Sequence, residues 1–226
     1  MSPLTTPRTT ARPTPRAAPL GAPHTTPGTT APGTTAPGTT PGTAPGTPGA
    51  VPGVPGEAPD PAAYRAAIGR FPTGVALLTH GSGDDTAAMT LNSLTSVSLD
   101  PLLILVSVRS EGRLRPLIAD GGGFAVNVLG EEQRELAKEF SRSGRPEGRA
   151  AMRRLGAVRG ASGHAVLPAA EASLECVLHT AHEAGDHVLF LGRVVALTCG
   201  PRASAPLVFH QGRFERLPPS RPEAAA

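Results

Sequence analysis

Between two apolar runs, the segment Met89–Pro101 gathers one amide, Asn92, and five hydroxyls, Thr90, Ser93, Thr95, Ser96 and Ser98. Small alcohols, an amide and free main-chain N–H groups at such a corner suit a ligand that combines a polar ring edge with a phosphate. The same residue types also build turns and caps, so composition leaves both readings open. A second chemistry-bearing group is Gly185-Asp186-His187, an imidazole beside a carboxylate on a turn free to face a ligand. Turn-forming Gly-Asp pairs are common, and a purely structural turn stays open too.

Other chemistries are poorly provided for. His179 and His182 lie three apart on an expected strand and therefore on opposite faces, a poor geometry for a shared metal, and no metal site is expected. Cys176 and Cys199 have neither the number nor the spacing of a zinc site or disulfide framework, and both read as buried free thiols. No Gly-x-Gly-x-x-Gly follows a strand, and neither a Walker-type loop nor a Gly-x-Ser-x-Gly elbow is present. Gly121-Gly122-Gly123 precedes a strand instead of opening a helix and reads as a flexible turn. Any nucleotide needs another architecture.

The elements that would position these groups begin at Asp60, an N-cap with Pro61 at the first helical position, ahead of a helix ending near Phe71-Pro72. Val75–Thr79 and Thr86–Thr90 read as a hairpin turning through residues 81–85, and Leu102–Val108 as a buried strand. A short helix over Leu114–Ala119, a strand over Phe124–Leu129 and an amphipathic helix over Glu131–Phe140 follow. The Arg- and Gly-rich stretch 141–163 shows no usable periodicity. Ala172–His182 and His187–Cys199 are long strand candidates around a turn at 183–186, and Leu207–His210 with Arg213–Leu217 form a last hairpin through Gln211-Gly212. The expectation is six or seven strands with helices at the connections, closer to a barrel than to a layered parallel sheet.

Of the 226 residues, 26 are Pro, and 15 of these fall within residues 1–59, which hold no aromatic side chain. That stretch, with an imperfect five-residue repeat from Thr29 to Gly38, cannot bury enough apolar surface to order itself and reads as a disordered Thr/Pro/Gly tail. One domain is expected over 60–218, with 219–226 again disordered. The net charge of +3 is mixed along the chain and rests almost wholly on arginine, Lys138 being the only lysine, so no basic stripe argues for nucleic acid. No apolar run approaches a membrane span and no secretory signal opens the chain, which leaves the cytoplasm as the expected compartment.

Five co-linear stretches carry a family resemblance: Phe71–Val75, Met89–Pro101, Phe124–Leu129, Gly185–His187 with Leu189–Val194, and Pro206–Phe214. Over roughly Tyr64 to Leu217 the sequence resembles the short-chain flavin reductases, the reductase components of two-component monooxygenases. The resemblance implies a mainly β fold with helical connections, the FMN-binding split β-barrel, as a homodimer. It also implies FMN or FAD as the hydride acceptor, NADH or NADPH as the donor, and a flavin-dependent monooxygenase as the partner. Carried over by position, Thr90, Asn92, Ser93, Leu94, Thr95 and Ser96 become flavin contacts, His187 a nicotinamide-side residue and Asp186 its orienting carboxylate.

The family pattern is not matched everywhere. Where relatives follow an Arg with a hydroxyl near the phosphate, this chain has Arg113-Leu114-Arg115, so Arg109, Ser110, Arg113 or Arg115 would have to neutralise the phosphate. The run Arg145–Arg149 lacks the aromatic residue of relatives. A tight flavin-binding module without turnover, and a flavin-dependent oxidase or oxygenase with its own substrate, are the alternative functions.

Overall fold

The computed structural model describes residues 59–200 and 205–217. The expected tail, 1–59, and the C-terminal stretch 219–226 lie essentially outside the described residues. Helix α1 (Pro61–Ile68) starts as its sequence dictates: the Asp60 carboxylate accepts from the N–H groups of Ala62 and Ala63 at 3.1 and 3.2 Å. It buries none of its residues. Strands β1 (Thr73–Gly74), β2 (Ala76–His80) and β3 (Ala87–Leu91) follow, the last two joined by a single 3-10 turn. At Gly81, φ is +64°, and a Cβ there would lie 2.3 Å from the Asp85 carbonyl oxygen. Strand β4 (Thr95–Leu99) occupies part of the segment read as a polar corner; pairing with β5 (Leu102–Arg109) outweighs its Thr/Ser composition.

Helix α2 (Leu114–Gly121) stops at Gly122, which is left-handed at φ +69°, so the glycine run is a helix terminator and strand entry. Then come β6 (Gly123–Val128), α3 (Arg134–Phe140), α4 (Gly148–Leu155), β7 (Val158–Arg159) and β8 (Ala165–Val166). Sequence analysis left α4 and β7 unassigned, because only Ala151 and Leu155 of α4 are buried and its remaining face is arginine-rich. Strand β10 (His187–Cys199) has the expected bounds, whereas β9 (Ala172–Ala184) extends two residues into the expected turn, since Glu183 and Ala184 pair with Val188 and His187. The chain ends in the hairpin β11 (Leu207–His210) and β12 (Arg213–Arg216), turned by Gln211 and Gly212 with φ of 49° and 78°.

Seven strands form one antiparallel sheet in the order β3-β2-β6-β9-β10-β5-β4, and β1-β11-β12 form a second. Laid flat, the outer strands of a seven-stranded sheet stand about 29 Å apart. Here those two edges, β3 and β4, are consecutive in the chain and joined by residues 92–94, a connection that spans at most about 15 Å. The sheet must therefore curl until its edges face each other. Inside the curl pack Leu78, Val106, Val108, Ile118, Phe124 and Phe190, all fully buried. The adjacent Leu77 points the other way, to a second cluster with Leu129, Phe140, Leu155 and Leu207 under α3 and α4. Gly192 lets β10 approach this interior: a Cβ there would meet the Phe124 ring at 2.5 Å. Cys176 is buried as expected, but Cys199 is exposed, because the end of β10 has a strand on one side only. Among the described residues no helix is long and apolar enough to cross a membrane.

Two buried polar groups lock loops onto this sheet. Asn127, wholly buried, donates to the Leu77 carbonyl and to Thr79 Oγ1, and its Oδ1 accepts from the Leu167 N–H at 2.9 Å and from Ser173 Oγ at 2.8 Å. His164 Nδ1 accepts from the Gly81 N–H at 3.0 Å, with its ring 4.9 Å from that of His80. Burial, then the neighbouring His80, pushes His164 down from 6.5 to about 4.

Asn127→Ala leaves buried donors and acceptors unpaired in three segments and is expected to lower stability by about 3 kcal/mol; urea unfolding with an unchanged midpoint would refute this. His164 gives an acid dependence of definite sign. Below pH 6.5 the unfolded chain takes up a proton that the folded chain refuses until about pH 4, so its contribution is complete above pH 6.5 and is lost as pH falls through this window. The total is on the order of 3 kcal/mol, and denaturant midpoints from pH 7 to 4 should fall less steeply in His164→Gln than in the parent.

Candidate functional site

The polar segment divides into structural and exposed members. Thr90 Oγ1 donates to the Ala137 carbonyl at 2.8 Å, fastening α3 to β3. Ser93 Oγ accepts the Ser107 N–H at 3.1 Å and donates to the Ser107 carbonyl at 3.2 Å, standing in for a ladder residue beside β5. Leu94 is half-buried against the core. Asn92, held by a 3.1 Å bond from its Nδ2 to Thr73 Oγ1, is exposed, as are Thr95 and Ser96 on the edge strand β4. These three side chains lie where the two sheet edges part.

The Gly-Asp-His turn comes to the end of β5. Its register sets His187 opposite Arg109, and the Ser110 N–H donates to the Asp186 carbonyl at 3.0 Å. His187 Nδ1 is 2.8 Å from Asp186 Oδ1, and this hydrogen bond, followed by the charges of His187 and Arg109, holds the exposed Asp186 carboxyl below its usual range. Ser107, the partner of Ser93, is two residues before Arg109, about 7 Å along the strand. Strand β5 thus joins the two groups that the sequence singled out. The Ser110 hydroxyl oxygen is buried without a hydrogen-bond partner, the one side-chain atom of this kind among the described residues.

Three hollows run in series along β3 and the 92–94 connection, and Thr95, Ser96 and His187 line none of them. The first, about 500 Å³, is lined by Met89, Arg109, Arg113, Ser141 and Arg145 among others. Ser141 also borders the second, of about 320 Å³, with Thr90, Asn92, Phe209 and Phe214. Asn92 and Val75 pass into the third, of about 360 Å³, which Phe71, Leu94 and Val128 make apolar. The charge is at one end and the apolar surface at the other.

The arginines named from sequence separate in space. Arg109 and Arg113 line the first hollow, and Arg113 also pairs with Glu147. Arg115 turns to Glu183 at 3.1 Å and is not part of that lining. Leu114, between them, is 1% exposed and belongs to the core, so this position faces away from the hollow. Sequence reasoning did not single out Arg145, Ser141 or Ser143. Arg145 reaches from an irregular loop to a strand 57 residues earlier, its Nε donating to the Ala88 carbonyl at 2.6 Å, and no local pattern announces such a contact. No group of His, Cys, Asp or Glu among the described residues could hold a metal, and burial, with Glu175 beside it, pushes the Cys176 thiol up to about 12.

Comparison with known proteins converges on one family. Residues 68–218 match the Flavin reductase like domain. An NADH-dependent FMN reductase of Streptomyces nodosus subsp. asukaensis is 51% identical over 162 residues, which cover 72% of this chain and 88% of that protein. The solved NADH:FAD oxidoreductase of Streptomyces globisporus is 38% identical with a TM-score of 0.65, covering 73% of this chain and 99% of that one. The flavin reductase component of a bacterial two-component tryptophan halogenase is 39% identical with a TM-score of 0.66, over 71% of this chain and 100% of its own. Fold, segment order and sequence agree across most of the described residues: the chain belongs to the flavin reductase like domain family.

Proposed function

We propose that this protein is an NAD(P)H:flavin oxidoreductase that transfers hydride from NADH or NADPH to FMN or FAD and passes reduced flavin to a partner monooxygenase. The observation that carries the reading is the series of hollows along β3 and the 92–94 connection, with Arg109 and Arg113 at one end and Phe71 and Leu94 at the other. A flavin nucleotide has the same polarity, a phosphate on a chain that ends in a tricyclic ring. The names of the relatives favour NADH, with both FMN and FAD represented, and the halogenase relative is one half of a two-component system.

When bound, the flavin supplies the hydride acceptor and the nicotinamide the donor. The protein's task is to hold two planar rings in register and to exclude water. Main-chain N–H groups of Thr90–Ser96, with Asn92, Thr95 and Ser96, offer donors to the ring edge; Leu94 and Phe71 supply the apolar wall. Arg109 and Arg113, which line the hollow, take the phosphate, whereas the Ser110 hydroxyl is buried outside that lining. His187, oriented by Asp186, stands on the rim and positions the nicotinamide. No nucleophile is required of the chain.

The family's split barrel and homodimer are part of the same reading. The curl with parted edges supports the first. For the second, α1 presents Tyr64 and Ile68 to solvent, with Phe71 just beyond, and β4, β5 and β10 expose Val97, Leu99, Leu102, Val195 and Leu197. A second copy would cover these surfaces.

Steady-state assays that cross FMN and FAD with NADH and NADPH should show nicotinamide oxidation that depends on added flavin; background rates in all four combinations would refute the reading. His187→Ala is expected to reduce kcat/KM for the nicotinamide about tenfold while the KM for flavin stays within about twofold. Unchanged nicotinamide kinetics would make the turn a structural feature only.

A further inference from the structure

We infer that Arg145 reads the phosphate of the flavin nucleotide. The inference rests on the functional reading above and names a residue to which the sequence reading gave no role. Arg145 is half-buried and lines the 500 Å³ hollow with Arg109, Arg113, Ser141 and Ser143. Its guanidinium is fixed from two sides, Nε donating to the Ala88 carbonyl at 2.6 Å and Nη1 to the Arg142 carbonyl at 3.1 Å. Among the described residues no carboxylate forms an ion pair with it, and Glu147, the nearest candidate, is engaged by Arg113.

Three guanidinium groups, of Arg109, Arg113 and Arg145, therefore border one partly enclosed hollow with two carboxylates, of Glu111 and Glu147. Burial lowers the pKa of Arg145, and the charge of Arg113 adds to this in the same direction, whereas Glu147 opposes it. A half-buried cation without a carboxylate partner is an unfavourable arrangement that a dianionic phosphate would relieve, since charge-assisted bonds to Arg are strong and bidentate. The carbonyl anchors hold the plane of the fork in advance of binding.

Cover of the β3 edge is the competing role. The Ala88 carbonyl lies on that edge, and the Gly148 N–H similarly covers the Thr86 carbonyl at 2.7 Å. An edge cover acts on every flavin alike. A phosphate reader acts only on flavins that carry a phosphate, and riboflavin carries none.

The test compares FMN with riboflavin in the parent, Arg145→Gln and Arg145→Lys, using NADH oxidation and, separately, equilibrium binding by flavin fluorescence. Arg149→Gln serves as a charge-matched control, because Arg149 is exposed and pairs with Asp84 outside the hollow. Arg145→Gln should weaken FMN binding about tenfold or more and leave riboflavin within about twofold; Arg145→Lys should recover part of the loss. Equal losses for both flavins, or none, overturn the role of Arg145. Absence of NADH oxidation by the parent with either flavin would instead overturn the reductase reading, and the fluorescence comparison would still decide whether Arg145 reads phosphate.

Discussion

Residues Asn92 to Leu94 tie one edge of a seven-stranded sheet to the other, and the geometry of that tether governs the rest of the molecule. It is too short to cross a flat sheet, so the sheet curls; the curl encloses Phe124, Phe190 and the valines of β5 as an interior; and the two edges stop short of forming a ladder with each other. Unpaired main-chain groups along a parted edge are a cost in most proteins. Under the proposed function they are the donors offered to a flavin ring edge, which asks for few specialised side chains.

Charge is distributed along the same line. With a single lysine in the chain, the cationic end of the groove is built from arginines, each treated differently: Arg109 on the strand end opposite His187, Arg113 tied to Glu147, Arg115 drawn away to Glu183, and Arg145 fixed through carbonyl oxygens. Fork-shaped, weakly hydrated cations tolerate partial burial better than an ammonium does. The result is a hollow whose positive character depends on how the loops after α3 are held, and those loops are in turn held by β3.

Much of this was legible in the sequence where the signal is local. The Asp60-Pro61 start, the hairpin around Gly83, the long strand pair β9–β10 and the Gln211-Gly212 turn each follow from residues that allow few conformations. The flavin-binding expectation came from five short stretches in a characteristic order. What composition could not decide was which hydroxyls are structural: Thr90 and Ser93 satisfy main-chain groups on α3 and β5, contacts set by tertiary packing. Strand β4 was obscured by its Thr/Ser content, α4 by a nearly all-polar face, and Arg145 by a partner 57 positions away. The exposed Cys199 shows the same limit, since an apolar run does not reveal where its neighbouring strand ends.

The facing edges also bear on colloidal behaviour. An open sheet ends in two rows of unpaired amide and carbonyl groups that invite strands from other molecules, the first step of fibril growth. Curling turns β3 and β4 toward a narrow slot, and Arg145 and Gly148 cap part of the β3 row from the side. The architecture that makes a ligand groove thereby shields the chain from self-templated polymerisation, and whatever molecule fills the slot blocks that route further.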